Sequence, residues 1–145
     1  MLIVDTSVIV KWLNRDNELH TEEAKDLLIT AVDGHTSLAV SDLTCHEVFN
    51  ALIRGKKLKG AALKEALEAY FFFPLQIVQT NRQIASTAAL IAERDAVTFY
   101  DAIYCAIAFQ YSAPFITANP KHQRPSRGIQ VISLDQWFTF KEEVK

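Results

Sequence analysis

The chain has 145 residues, half of them hydrophobic, and a formal net charge of −2. That length predicts one domain over 1–145 with a sizeable core, and the composition excludes a disordered chain. No apolar run is long enough for a membrane span, and so small a net charge produces no whole-molecule field for nucleic acid.

The start, Met-Leu-Ile-Val-Asp, has no basic n-region, so no signal peptide is expected. Leu2–Val4 is a short continuous apolar run, as expected of a strand buried on both faces. Residues 7–14 read as a helix with Val8, Ile9, Trp12 and Leu13 on one side. Thr21 to Val32 reads as a second helix, with Ala24, Leu27, Leu28 and Ala31 facing a core, and Asp33-Gly34 stops it. Ser37–Val40 is a short strand. Ser41 or Asp42 is expected to cap a helix that runs to Arg54 and ends at Gly55. Ala61–Phe72 is a helix stopped before Pro74, and Leu75–Val78 is a strand. Asn81 is expected to cap a helix to about Arg94, and Tyr100–Tyr111 is the next helix. After Pro114 come the apolar run Phe115–Thr117, a strand at Ile129–Ile132 and a helical turn or two at Leu134–Phe140.

Strands alternating with helices predict an α/β fold, a central mostly parallel sheet flanked by helices. Ligands of such sheets bind outside the carboxyl ends of the strands. Asp5 lies at the carboxyl end of its strand, Ser41 and Asp42 follow the second, and Asn119 follows Phe115–Thr117. The polar groups therefore fall where this fold class puts a site.

Three acids interrupt stretches that otherwise read as core: Asp5, Glu47 and Asp101. An isolated buried carboxylate carries a large desolvation penalty. A pair about 4 Å apart repels by roughly 4 kcal/mol at an effective dielectric near 20. A divalent cation with oxygen ligands relieves both, which points to a hard-metal site and phosphate chemistry. Plainer readings stand beside this one. Asp5, Thr6 and Ser7 suit a helix N-cap, Glu47 suits a solvated helix face, and Asp101 in a first turn is favoured by the macrodipole. His46 neighbours Glu47, but adjacent helical positions diverge by about 100°, so it is set aside as a ligand.

Arg54, Lys56, Lys57 and Lys59 form one basic cluster, and Lys121, His122, Arg124 and Arg127 a second. Each reads either as a solvated turn or as phosphate neutralisation beside the acids. The two cysteines, Cys45 and Cys105, read as small buried hydrophobes. That count excludes a disulfide framework and a zinc site, and points to the reducing cytoplasm. Neither glycine-rich phosphate loop occurs, nor does a Gly-x-Ser-x-Gly elbow.

Taken in order, Val4-Asp5-Thr6-Ser7, Ser41-Asp-Leu-Thr-Cys-His-Glu47 with Asn50-Ala-Leu, Tyr100-Asp101-Ala-Ile-Tyr104 with Ala106 and Ala108, and Phe115-Ile-Thr117-Ala-Asn119 resemble a PIN domain of the VapC toxin type. The resemblance runs over nearly the whole chain. It implies a ribonuclease dependent on Mg²⁺ or Mn²⁺, with Asp5, Glu47 and Asp101 as the acids and Ser7 and Thr117 lining the same pocket. It also implies a homodimer and a small antitoxin partner. The family's fourth acid stands here as Asn119. An amide oxygen can ligate or hold a bound water but adds no charge, which favours one ion over two and bears on full activity. A PIN scaffold that binds RNA or protein without cleaving is the alternative, supported by Asn119 and opposed by the three acids. A haloacid-dehalogenase-like phosphatase also starts with an Asp at a strand end, but Ser7 stands where it needs a second Asp.

Overall fold

The computed structural model describes residues 1–120 and 128–143. The second basic group, Lys121, His122, Arg124 and Arg127, lies outside the described residues.

Side-chain alternation along the strands sets the layers. Leu2 and Val4 of β1 (Leu2–Val4) belong to one hydrophobic core, and Ile3 between them belongs to another. Strand β2 (Leu38–Ser41) repeats the pattern, with Leu38 and Val40 on the first face and Ala39 on the second. Strands β3 (Leu75–Val78), β4 (Phe115–Thr117) and β5 (Val131–Ser133) complete a five-stranded sheet in the order β3-β2-β1-β4-β5. Every pairing is parallel, with Ile3 opposite Ala39 on one side and Phe115 on the other. The fold is therefore α/β with a wholly parallel sheet. Burial on both faces explains why β1 and β4 are continuous apolar runs rather than alternating ones.

On the first face lie α1 (Thr6–Leu13), α2 (Thr21–Val32), α3 (Thr44–Asn50), α4 (Gly60–Phe72) and α7 (Trp137–Glu143). On the second lie α5 (Arg82–Asp95) and α6 (Phe99–Tyr111). Helix α6 is buried continuously from Ala102 to Ala108, and the alanines at 102, 106 and 108 allow close approach to the sheet. Asp26 on α2 accepts hydrogen bonds from Trp137 Nε1 and Lys141 Nζ, both at 2.7 Å, and so ties α7 to the first layer. Asn81 caps α5 as expected, its Oδ1 accepting from the Ile84 N–H at 2.9 Å.

The start of α3 differs from expectation. Neither Ser41 nor Asp42 is its N-cap; Leu43 is, without a side-chain cap bond. The Asp42 carboxylate instead accepts from the Thr80 N–H at 3.1 Å and the Thr80 hydroxyl at 2.8 Å, which joins the ends of β2 and β3. The helix continues beyond Asn50 as a π-helical turn, Ala51–Gly55, a wider coil often found near functional sites.

Strand order reverses between β1 and β4: β2 and β3 lie to one side of β1, and β4 and β5 to the other. This switch point leaves a crevice at the carboxyl ends of β1 and β4.

Candidate active site

Asp5 emerges at that crevice. It is the N-cap of α1, so the plain reading of Val4-Asp5-Thr6-Ser7 holds: its Oδ1 accepts from the Ser7 N–H at 2.9 Å. Capping accounts for part of its bonding only. Oδ1 also accepts from the Ser7 hydroxyl at 2.5 Å, and Oδ2 from the Thr117 hydroxyl at 2.5 Å. Both hydroxyls are oriented from behind. Ser7 Oγ accepts from the Ala118 N–H at 2.9 Å and Thr117 Oγ1 from the Asn119 N–H at 3.0 Å, so each directs its one proton to Asp5. Asp5 is only 6 % exposed. Burial raises its carboxyl to about 6, despite the hydroxyl and amide donors that favour the ionised form.

Glu47 comes from α3 and is held by a second set of hydroxyls. Its Oε2 accepts from Thr6 Oγ1 at 2.8 Å and from the Tyr104 hydroxyl at 2.5 Å. Tyr104 is 3 % exposed, stacks on Phe115 at 5.8 Å between centroids, and lies 2.9 Å from Thr44 Oγ1. Burial, and then the neighbouring Glu47 carboxylate, push the Tyr104 hydroxyl far above its ordinary value. It therefore remains a proton donor to Glu47. Asp101 stands in the first turn of α6, where Thr98 is the N-cap. Thr98 Oγ1 accepts from the Asp101 N–H at 3.1 Å and donates to Asp101 Oδ2 at 2.7 Å.

Asp5, Ser7, Glu47, Asp101 and Asn119 line one cavity of about 480 Å³ at the switch point. Thr117, expected in its lining, is fully buried behind Asp5 and reaches the cavity only through its hydrogen bond to that carboxylate. Of the basic cluster, Lys56 lines the cavity, while Arg54, Lys57 and Lys59 are exposed outside it. His46 is exposed and stands apart from the lining. Cys105 is buried and Cys45 half-buried, as their apolar helical surroundings imply.

Four contributors were not singled out by sequence reasoning. Thr6 and Tyr104 lay inside the motifs, and the i, i+3 spacing of Asp101 and Tyr104 was the available signal for Tyr104. Lys11, a lysine within an apolar helical run four residues after Ser7, was the signal for a second polar position on the same stripe of α1. Glu18 sits in the loop after α1 and had no signal.

Among the described residues, no three His, Cys, Asp or Glu side chains converge closely enough to hold a metal by themselves. Hydroxyl donors, rather than a shared cation alone, compensate the charge of each acid. The groups of the lining able to ligate a cation are carboxylate, hydroxyl and amide oxygens, with no thiolate or imidazole among them. Such a set fits Mg²⁺ or Mn²⁺, hard ions that take few carboxylates and keep several waters.

A model of the PIN domain family matches residues 2–128. The chain belongs to the PIN domain family. No curated protein matches the sequence. Several solved structures share the fold. A chain from a toxin–antitoxin complex of Klebsiella pneumoniae has a TM-score of 0.65 at 19% identity, covering 92% of this chain and 98% of that one. The VapC20 toxin of Mycobacterium tuberculosis, described as cleaving the sarcin–ricin loop, has a TM-score of 0.62 at 16% identity, over 79% and 87%. A chain of the DNA-bound VapBC complex from Salmonella typhimurium has a TM-score of 0.64 at 18% identity, over 92% and 97%. At such identities the likeness is one of fold. Within the PIN domain, the acids of this chain come from three separate elements, and β4 and α1 are locked together through Ser7 and Ala118.

Proposed function

We propose that this PIN domain is a divalent-metal-dependent endoribonuclease, acting in the cytoplasm as the toxin of a VapBC-type toxin–antitoxin pair. The observation that carries the reading is the meeting of Asp5, Glu47, Asp101 and Asn119 around one cavity at the switch point of the sheet. Similarity of fold to chains of toxin–antitoxin complexes supports a small antitoxin as partner.

Asp5 and Asp101 are the carboxylates that would hold Mg²⁺ or Mn²⁺, with Asn119 Oδ1 contributing directly or through a water. The ion, when bound, activates water and offsets charge on the phosphate oxygens. Ser7 and Thr117 fix the rotamer of Asp5 and favour its ionised form. Glu47 has Oε2 held by Thr6 and Tyr104, which leaves Oε1 to accept a proton from the attacking water. Tyr104 acts as a positioning residue: it aims the carboxylate and is itself anchored by Thr44 and by stacking on Phe115.

The test is cleavage of a single-stranded oligoribonucleotide with Mg²⁺, with Mn²⁺ and with a chelator. Cleavage should require the cation. Asp101→Asn should abolish it while leaving the circular dichroism spectrum unchanged, because the amide keeps the shape of the carboxylate and its oxygen can still accept from Thr98 Oγ1. An Asp101→Asn protein that cleaves in chelator would end the mechanism. The second reading, a scaffold that binds RNA or protein without cleaving, is favoured by Asn119 and by there being, among the described residues, no three acids grouped so as to hold a metal by themselves. It is the outcome if RNA binds and no product appears with either cation.

A further inference from the structure

The lining of the same cavity carries an ion-pair arrangement that the reaction above does not use. Lys11 of α1 is 7 % exposed, an unusual place for an ammonium. Its Nζ is paired with Glu18 Oε2, and the Nζ of Lys56 is paired with Glu18 Oε1. Lys56 also donates to the Asp16 carbonyl at 2.7 Å. Two ammoniums thus grip the two oxygens of one anion, and all three residues line the cavity that holds Asp5, Glu47 and Asp101. A phosphodiester also presents two non-bridging oxygens on one anionic centre. Glu18 thus presents to the two ammoniums a pair of oxygens like that of a backbone phosphate, and the group of three keeps one net positive charge.

The elements explain why this wall is prebuilt. Lys11 falls four residues after Ser7, so both project from one stripe of α1. Glu47, Ala51 and Gly55 likewise follow one another along α3 and its π-helical turn and all line the cavity, delivering Lys56 at its mouth. Glu18 comes from the segment between α1 and α2, where Asn17 and His20 adopt positive φ of 57°. It is held there chiefly by the two lysines. Burial acts to raise the Glu18 carboxyl, and the lysines outweigh it and hold it below its ordinary value.

We propose that Lys11 and Lys56 form a phosphate-binding subsite of this cavity, and that Glu18 occupies it until a nucleic-acid phosphate displaces it. The identity of the ligand as RNA rests on the nuclease reading; the subsite itself does not. Displacement exchanges one anion for another between the same two cations, so Lys11 is never left buried without a partner.

The test uses two probes in chelator, inorganic pyrophosphate by calorimetry and a single-stranded oligoribonucleotide by fluorescence anisotropy. Glu18→Gln should raise affinity for both by about tenfold, since hydrogen bonds to charged groups carry such weight. Adding Lys56→Ala to Glu18→Gln should remove the gain. Unchanged affinity in Glu18→Gln, or a gain that persists in the double variant, overturns the subsite. So does loss of Mn²⁺ binding by Glu18→Gln in a separate calorimetric titration without chelator, which would make Glu18 a metal ligand instead. Should Glu18→Gln fail to fold, Lys56→Ala alone decides, because it leaves the Lys11–Glu18 pair intact: it should weaken binding of both probes, and equal affinity to the parent overturns the proposal. Failure of the nuclease reading shows separately, as RNA left uncut by the parent with Mg²⁺ or Mn²⁺ while the pyrophosphate ranking holds.

Discussion

Asp5 is both a helix cap and the most deeply buried acid of the cavity, and these roles give it a distinctive pH signature. Its folded-state pKa of about 6 lies above the ordinary 3.8. The corresponding stability is complete below the unfolded value and is lost as pH rises through about 6. The metal-free protein should therefore lose about 3 kcal/mol from this group between pH 3.8 and pH 7. Asp26 and Asp42, held below the ordinary value because their hydrogen-bond donors outweigh burial, act in the opposite direction. Comparing urea denaturation of the parent and Asp5→Asn across that range isolates the Asp5 contribution, which the variant should lack. Asn119 provides a second test at this scale. Its backbone N–H bonds to Thr117 while the residue lines the cavity, so Asn119→Asp adds a carboxylate without disturbing the turn. Calorimetric titration should show tighter Mn²⁺ binding, and the metal-free variant should be less stable. Identical affinity and stoichiometry would place Asn119 outside the metal's reach. Asp5, Glu47 and Asp101 were legible in the sequence because a carboxylate within an apolar pattern needs a reason. Tyr104 was not, since an aromatic in a buried helix already has one.

At the scale of elements, periodicity located α2, β3 and α5 well, because each has an unbroken pattern between punctuating residues such as Gly34, Pro74 and Asn81. The cap of α3 was misassigned because Asp42 bonds to Thr80, a partner 38 positions away. The π-helical turn was also illegible: it differs from an α turn by one hydrogen-bond step and has no residue signature of its own. That turn divides the basic cluster, bringing Lys56 into the cavity and leaving Arg54 and Lys57 in solvent. If the exposed pair binds RNA backbone, Arg54→Gln with Lys57→Gln should weaken binding across sequences. It should also flatten the salt dependence by about 0.7 for each phosphate that is no longer neutralised on a single strand. An unchanged slope would mark both as solvated turn residues.

The whole molecule exposes more aromatic surface than its core requires. Phe71 and Phe72 at the end of α4 are 68 % and 85 % exposed, whereas Trp137 of α7 lies in the core at 2 %. The expected outcome is a homodimer at micromolar concentration, measured by sedimentation velocity, with Phe71→Ser and Phe72→Ser shifting the profile toward monomer or impairing antitoxin capture. A strictly monomeric profile would remove the dimer. Among the described residues, no helix is long and apolar enough to cross a membrane. The parallel sheet was legible because alternating elements allow few other arrangements. The closure of Lys11 and Lys56 on Glu18 was not, because it brings a helical lysine, a residue of the segment after α1 and the residue after the π-helical turn together, which no local pattern records. The sheet's order also has a consequence for synthesis. β1 is central and made early, yet one of its two neighbours, β4, brings Thr117 to Asp5 from 112 positions further along. Contacts so distant in sequence form late and depend on closing a long loop. A ribosome that has not yet made β4 holds a chain with no switch point, no oriented Asp5 and no cavity. If the protein cleaves RNA, the nascent chain is harmless to the machinery making it until its last strands emerge.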